Sequence, residues 1–297
     1  MKKKRFKLIS WNIQWGRGCD GVVDLSRIVE HACALADFDV LCLQEVASNY
    51  PGLAGSRGED QPALLAKLLP GYEAMFCAAT DVAADDGSRR LFGNMLLSRL
   101  PVVQIFRHLL PWPAEARRKS MQRALIEAVI ETPFGRLRIM TTHLEYYSSR
   151  QRRMQVERIR ELHVAAALRT HLSGRDASRG PFRTHKGSIS AILAGDFNCR
   201  PLDAPITRLT APFSQPVPAF CDAWRSVYPG IPHPPSIGVF DRKQWPRPFC
   251  CDYAFVTKDL RSRLLEVRID QRSDASDHQP LLLVLDAGRA TSRNGMS

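Results

Sequence analysis

No stretch of this 297-residue chain approaches the roughly 20 consecutive apolar residues of a membrane span, so no membrane-crossing helix is expected. No two of its eight cysteines stand in a C-x-x-C spacing, and no His/Cys pattern has the spacing of a zinc site. The cysteines, including the adjacent pair Cys250 and Cys251, therefore read as mostly free thiols in a reducing compartment. There is no internal repeat and no linker that would split the chain, so one domain is expected over 1–297, with its core between about 6 and 286. Acidic side chains are the scarcer charge, 30 against 42 Lys and Arg, and the net charge of +12 favours polyanionic partners, for which phosphate is the common factor. The opening "MKKKRF" has the charges of a signal peptide, but only about four apolar residues follow where roughly 7–15 are needed. It reads instead as a first strand, and the protein is expected to be cytoplasmic, with no obligate protein partner evident.

What is present is an alternation of strand-like and helix-like runs. Strands are expected at "FKLISWNI", "FDVLCLQEV", "GNMLLSRLPV", "RALIEAVIET", "GRLRIMTTHL", "ISAILAGDFN", "CDYAFVT" and "PLLLVLD". Helices are expected at "DLSRIVEHACAL" with Asp24 as its cap, at "QPALLAKLLPG" with Pro62 in its first turn, and at the long "SSRQRRMQVERIRELHVAAALRTHL". The segment "SGRDASRGPFRTHKGS" reads as a mobile basic loop. Mixed hairpins and crossovers with helices at intervals imply a two-sheet α/β sandwich.

The polar residues that stand where apolar strands end form a chemically coherent set: Asn12, Glu45, His143, Asp196, Asn198, Asp252, Asp277 and His278. Strand ends project side chains from one edge of a sheet, where distant parts of a chain can meet in one cleft. Oxygen donors such as Glu45 and Asp277 suit a hard cation, Mg2+ or Mn2+, which binds few carboxylates plus substrate phosphate. Asp196 is a candidate to orient or deprotonate water. Asn12 and Asn198 are neutral donors for phosphate, and His278 with Asp252 is a candidate His–carboxylate pair.

The ordered series "WNIQWG", "LQEV", "GNMLLSRLPV", "TTHLE", "GDFN", "CDYAFV" and "SDHQPL" resembles the motifs of the endonuclease/exonuclease/phosphatase superfamily over nearly the whole chain. The resemblance implies a four-layer α/β sandwich of two packed mixed sheets flanked by helices, with a divalent-metal site and phosphoester hydrolysis. By position, Glu45 resembles the principal metal ligand with Asn12 and Asp277 beside it, and Asp196 the water-activating residue. Asn198 resembles a phosphate contact, His278 the catalytic histidine oriented by Asp252, and His143 a position that touches the phosphate or leaving group. "QEV" and "THLE" depart from the "QET" and Tyr of apurinic endonucleases and look more like the branch of tyrosyl-DNA phosphodiesterases, deadenylases and neutral sphingomyelinases.

The remaining candidates carry a bland reading beside the functional one. Arg150, Arg152 and Arg153 can contact a polyanion or form a solvated face, and Trp112 and Trp245 can stack on a base or anchor loops. His233 and Ser236 are candidate substrate contacts, while His31, His163 and His171 read as core or surface residues. A metal-dependent phosphodiesterase acting on DNA or RNA is the leading function, with a lipid-headgroup or small-molecule phosphoesterase as the alternative. A non-catalytic nucleic-acid-binding module ranks last, because it has no use for Glu45, Asp196, Asp252 and His278 together.

Overall fold

Two mixed six-stranded sheets form the centre of the computed structural model, which describes residues 4–172 and 187–288. The strands are β1 Arg5–Asn12, β2 Val40–Ser48, β3 Glu73–Ala83, β4 Arg89–Ser98, β5 Val102–Leu109, β6 Ala124–Thr132, β7 Gly135–His143, β8 Ala191–Asp196, β9 Phe220–Asp222, β10 Asp252–Thr257, β11 Leu264–Ile269 and β12 Leu281–Asp286. The helices are α1 Leu25–Leu35, α2 Gln61–Leu68, α3 Ser149–Leu172, α4 Ala204–Thr210 and α5 Ala223–Val227. Strand order is β11-β12-β1-β2-β4-β3 in one sheet and β5-β6-β7-β8-β10-β9 in the other. The expected α/β sandwich is therefore present. The strands at "CDYAFVT" and "PLLLVLD" are not consecutive, because β11 lies between β10 and β12, and the proline-rich stretch after Asn198 contains α4, β9 and α5. The expected basic loop at 173–188 lies, for 173–186, outside the described residues.

Alternation along the inner strands builds two cores. On β1, Phe6 and Leu8 face the second sheet, while Ile9 and Trp11 face outward onto Ile28 and Ala32 of α1. Asp24 caps α1 by accepting the Arg27 N–H at 3.1 Å, as its sequence position requires. Between the sheets, two buried polar pins fix their relative position: Gln44 Nε2 donates to Thr141 Oγ1 at 2.8 Å, and Asn94 Nδ2 to the Ala124 carbonyl at 2.9 Å. His163 is a core residue, its Nδ1 3.0 Å from a guanidinium nitrogen of Arg138, which also pairs with Glu127 at 2.7 Å. His31 meets Ser273 Oγ at 2.8 Å, and all eight cysteines are free thiols. No helix among the described residues is long and apolar enough to cross a membrane.

Each sheet has one parallel pair at its centre, β1 with β2 and β7 with β8. Parallel neighbours end at the same edge, so Asn12 stands beside Gln44, and His143 beside Asp196. An antiparallel neighbour begins where they end. Asp252, at the start of β10, pairs with Asp196, and Leu281, at the start of β12, pairs with Ser10. Every residue of the polar set is thus brought to one rim of the sandwich.

Gly195 makes the last step before Asp196 possible. Its φ is +144°, and a Cβ there would lie 2.0 Å from the Thr142 carbonyl oxygen on the adjoining strand. Only glycine fits this approach. Gly195→Ala is expected to cost at least about 2 kcal/mol, measured as a lower urea midpoint at unchanged m-value. An unchanged midpoint would mean that β7 and β8 separate without cost.

Candidate active site

Glu45 reaches the cleft through a bulge. Leu43 pairs with Met95 and Val46 with Gly93, so Gln44 and Glu45 together oppose the single residue Asn94. Glu45 takes φ +60°, a left-handed conformation rare for a side-chain-bearing residue. The extra residue turns its carboxylate toward the gap between the sheets instead of into the α1 layer. Asn12 Nδ2 lies 3.3 Å from Glu45 Oε1, 3.1 Å from Asp196 Oδ2 and 3.5 Å from His278 Nε2. The Asn12 amide oxygen accepts the Gln14 N–H at 3.1 Å, so its NH2 faces the acidic groups. In that orientation Asn12 donates to Glu45 and Asp196, whereas as a ligand to a cation it would present its amide oxygen.

Asp196 accepts the Asn198 N–H on Oδ1 at 2.9 Å and stands 3.3 Å from His143 Nε2 on Oδ2. Burial, and then the charge of Asp252, push its carboxyl up to about 6, against the opposing pull of His278. Asn198 holds φ +49° and points Nδ2 at the Leu144 carbonyl (2.9 Å) and at His143 Nε2 (3.0 Å). Both of its N–H groups face protein atoms, so contact with a phosphate requires the His143 bond to be exchanged. Burial first, then the positive charges of Arg123 and His278, hold His143 well below the usual imidazole value, and it is neutral.

His278 Nδ1 meets Asp252 Oδ2 at 2.8 Å, leaving Nε2 toward the cleft, 3.7 Å from Asp196 Oδ2. Burial opposes a charge here, but Asp252 first, then Asp196 and Asp277, raise the ring well above the usual value. Ser236 is fully buried behind this pair. Its hydroxyl accepts the N–H groups of Cys251 and Asp252, both at 3.0 Å, and donates to Asp252 Oδ2 at 2.6 Å. It is placed to fix Asp252 and does not reach the cleft, contrary to the expected substrate contact. His233 also stands away, pairing with Asp222 at 2.9 Å.

The cleft has a volume of about 230 Å3 and is lined by Glu45, His143, Asp196, Asn198, Asp277 and His278 from the expected set. Arg123, Tyr146, Tyr147 and Trp245 join them. Arg123 immediately precedes β6 at the same rim and is held by the buried Glu145 at 3.2 Å. A lone arginine before an apolar strand was its only sequence signal. The segment from "THLE" to "RQRRMQ" at the start of α3 is tied together by its own side chains. Gln155 accepts the Glu145 N–H at 2.9 Å, and Arg152 Nη1 donates to the Glu145 carbonyl at 2.8 Å. Arg152 is thus committed inward, whereas Arg150 and Arg153 are exposed. Trp112 bonds Ser120 Oγ at 2.9 Å.

The donor set at Glu45 and Asp277 fits a hard divalent cation. Burial, and then the charge of Asp277, push Glu45 up to about 7, and a cation between oxygen donors relieves both effects. A second grouping, Asp196, Cys251 and His278, brings three donors within 4.8 Å of one another. It fits a metal poorly. Burial and then Asp252 push the Cys251 thiol well above its ordinary value, leaving no thiolate, and His278 Nδ1 is already bound to Asp252.

The sequence model of the Endonuclease/Exonuclease/phosphatase family matches residues 9–278. Among solved structures, an endonuclease/exonuclease/phosphatase from Beutenbergia cavernae DSM 12333 is 26% identical with a TM-score of 0.64, over 96% of this chain and 72% of that one. A Bacteroides thetaiotaomicron VPI-5482 mannosyl-6-phosphatase shares the fold at 15% identity and TM-score 0.60, over 94% and 98% of the two chains. D. rerio TDP2, complexed with single strand DNA product, shares it at 18% and 0.58, over 95% and 98%. A comparison with curated proteins finds no match.

Proposed function

The chain belongs to the Endonuclease/Exonuclease/phosphatase family, a superfamily of phosphoesterases, and from that premise we propose that it is a divalent-metal-dependent phosphodiesterase acting on nucleic acid. The observation that carries the reading is the single hub at Asn12, whose amide stands within 3.5 Å of Glu45, Asp196 and His278. A turn or a binding surface has no need of two carboxylates and a charged imidazole around one buried donor.

Each group has a part in hydrolysis. A Mg2+ or Mn2+ ion held by Glu45 and Asp277 would supply charge neutralisation of the phosphoryl oxygens and the leaving group. Asp196 takes the proton of the attacking water as the new O–P bond forms and the bond to the leaving oxygen breaks. Its carboxyl, raised to about 6, is still ionised at neutral pH and is a stronger base than an ordinary aspartate. His278 presents Nε2–H to the charge that builds on phosphorus-bound oxygen, and Asp252 keeps the ring oriented and cationic. Neutral His143 and Asn198 border the same space.

The net charge of +12 and the exposed Arg150, Arg153, Arg118 and Lys119 support a polynucleotide substrate. A small-molecule phosphoester is favoured by one observation, the cleft volume of about 230 Å3, which is below the roughly 300–1,000 Å3 of pockets for drug-sized ligands. The two are separated by binding of a fluorescent oligonucleotide to an Asp196→Asn protein between about 50 and 200 mM salt. Affinity is expected to fall with a log–log slope of roughly 0.7–0.9 per phosphate contact, and to flatten when Arg150 and Arg153 become Ala. A flat response in the unmodified surface assigns the enzyme to small phosphoesters.

A further inference from the structure

The mechanism above uses none of the aromatic side chains on the cleft wall. Tyr146 and Trp245 meet edge to face, with centroids 5.9 Å apart and planes at 80°, and so form a corner. Tyr146 keeps 39% of its surface exposed although it borders a cleft whose other groups are mostly charged or amide. The exposed Tyr146 and the half-buried Trp245 are both held in place by their neighbours. The Arg152 guanidinium ties down the Tyr146 carbonyl, Tyr147 N–H donates to Glu145 Oε1 at 2.8 Å, and Trp245 packs on Phe249 at 6.1 Å. Trp245 also donates its indole N–H to Asp277 Oδ2 at 3.0 Å, on the carboxylate assigned above to the cation.

We propose that the Tyr146–Trp245 corner is a subsite for one flat aromatic ring carried on the phosphoester, and that Trp245 is a positioning residue linking that subsite to Asp277. The proposal rests on the phosphoesterase reading of the same cleft. Two perpendicular rings offer a third ring both a face for offset stacking and an edge for T-shaped contact, geometries that aromatic pairs favour beyond their buried area. A saturated ring has no π face to meet them. The cleft's volume of about 230 Å3 leaves space for a phosphate group and a single ring beside it. The shared chemistry of the ligand is therefore a flat ring next to phosphorus, whether a nucleobase or a phenol.

Binding carries the test, so that it does not depend on turnover. With Mg2+ present, benzylphosphonate and cyclohexylmethylphosphonate have equal charge and similar size, and are titrated against the full chain by tryptophan fluorescence. Benzylphosphonate is expected to bind about tenfold more tightly, and Tyr146→Leu to reduce that ratio to within about twofold of unity. Equal binding of the two, or no measurable binding of either, overturns the subsite. Adenosine monophosphate and O-phosphotyrosine in the same assay identify the source of the ring by which binds more tightly. Trp245→Phe keeps a ring but loses the indole N–H. It should retain the preference for benzylphosphonate while requiring several-fold more Mg2+ to reach half of the Mg2+-induced rise in Tm. An unchanged Mg2+ requirement removes the link to Asp277. Hydrolysis of methyl benzyl phosphate tests the underlying reading separately, since its absence beside selective binding counts against phosphoester cleavage and leaves the subsite standing.

Discussion

Replacing Glu45 with Gln is expected to lower kcat by at least about 10^3-fold while making the metal-free protein more stable. In the proposed mechanism Glu45 and Asp277 supply the charge for the cation, and hard-cation sites of this kind rest on few carboxylates, so loss of one removes much of the attraction. The stability effect has the opposite sign. Burial and then Asp277 raise the Glu45 carboxyl from 4.5 to about 7, above its value in the unfolded chain. A group raised in this way does no harm below about pH 4.5 and destabilises increasingly as pH rises through 7. About a fifth of the side chain remains exposed, at 19%, so the recoverable amount is on the order of 2 kcal/mol at pH 8. In EDTA at pH 8, Glu45→Gln should therefore unfold at a higher temperature than the parent, and added Mg2+ should stabilise the parent alone. Near-parental turnover in EDTA, or by the variant, would falsify the metal assignment. A lower melting temperature for the variant in EDTA would show instead that Glu45 is held by contacts unrelated to a cation.

The second large effect concerns His278 and Asp252. His278→Ala is expected to cost about 10^3-fold in kcat/KM, and the double variant with Asp252→Ala little more, as for catalytic groups that act as one unit. The 2.8 Å bond between them is the physical reason, because without the ring the carboxylate has nothing to orient. Ser236 extends the same argument one step back. Ser236→Ala leaves Asp252 with its bond to His278 but without the 2.6 Å hydroxyl donor, and strips the N–H groups of Cys251 and Asp252 of their common acceptor. A loss of about tenfold in kcat with KM nearly constant is expected for a misplaced His278, with recovery in Ser236→Thr. Losses that multiply across Asp252 and His278 would show two independent groups.

The eight strands legible in the sequence, β1, β2, β4, β6, β7, β8, β10 and β12, are the eight interior strands of the two sheets. Burial on both faces makes them continuous apolar runs such as "VLCL" and "LLLVL". The four that were not legible, β3, β5, β9 and β11, are the four sheet edges. An edge strand is half solvated, so β3 and β5 carry exposed residues such as Glu73 and Arg107 that blur a strand pattern. The polar set was legible for the same reason as the interior strands, since a charged or amide residue stands out at the end of an apolar run.

The sequence by itself determined the sandwich, the family resemblance and the identity of the groups that converge. Those follow from local composition and from motif order, which need no coordinates. Orientation was decided by tertiary structure. The bulge that turns Glu45 into the cleft depends on pairing with β4, and the direction of the Asn12 amide depends on the Gln14 N–H. The inward commitment of Arg152, the burial of Ser236 behind Asp252 and the meeting of Tyr146 with Trp245 join residues from separate elements or loops. Sequence spacing sets which face of an element a residue occupies. What that residue touches is set by the partner elements that fold against it.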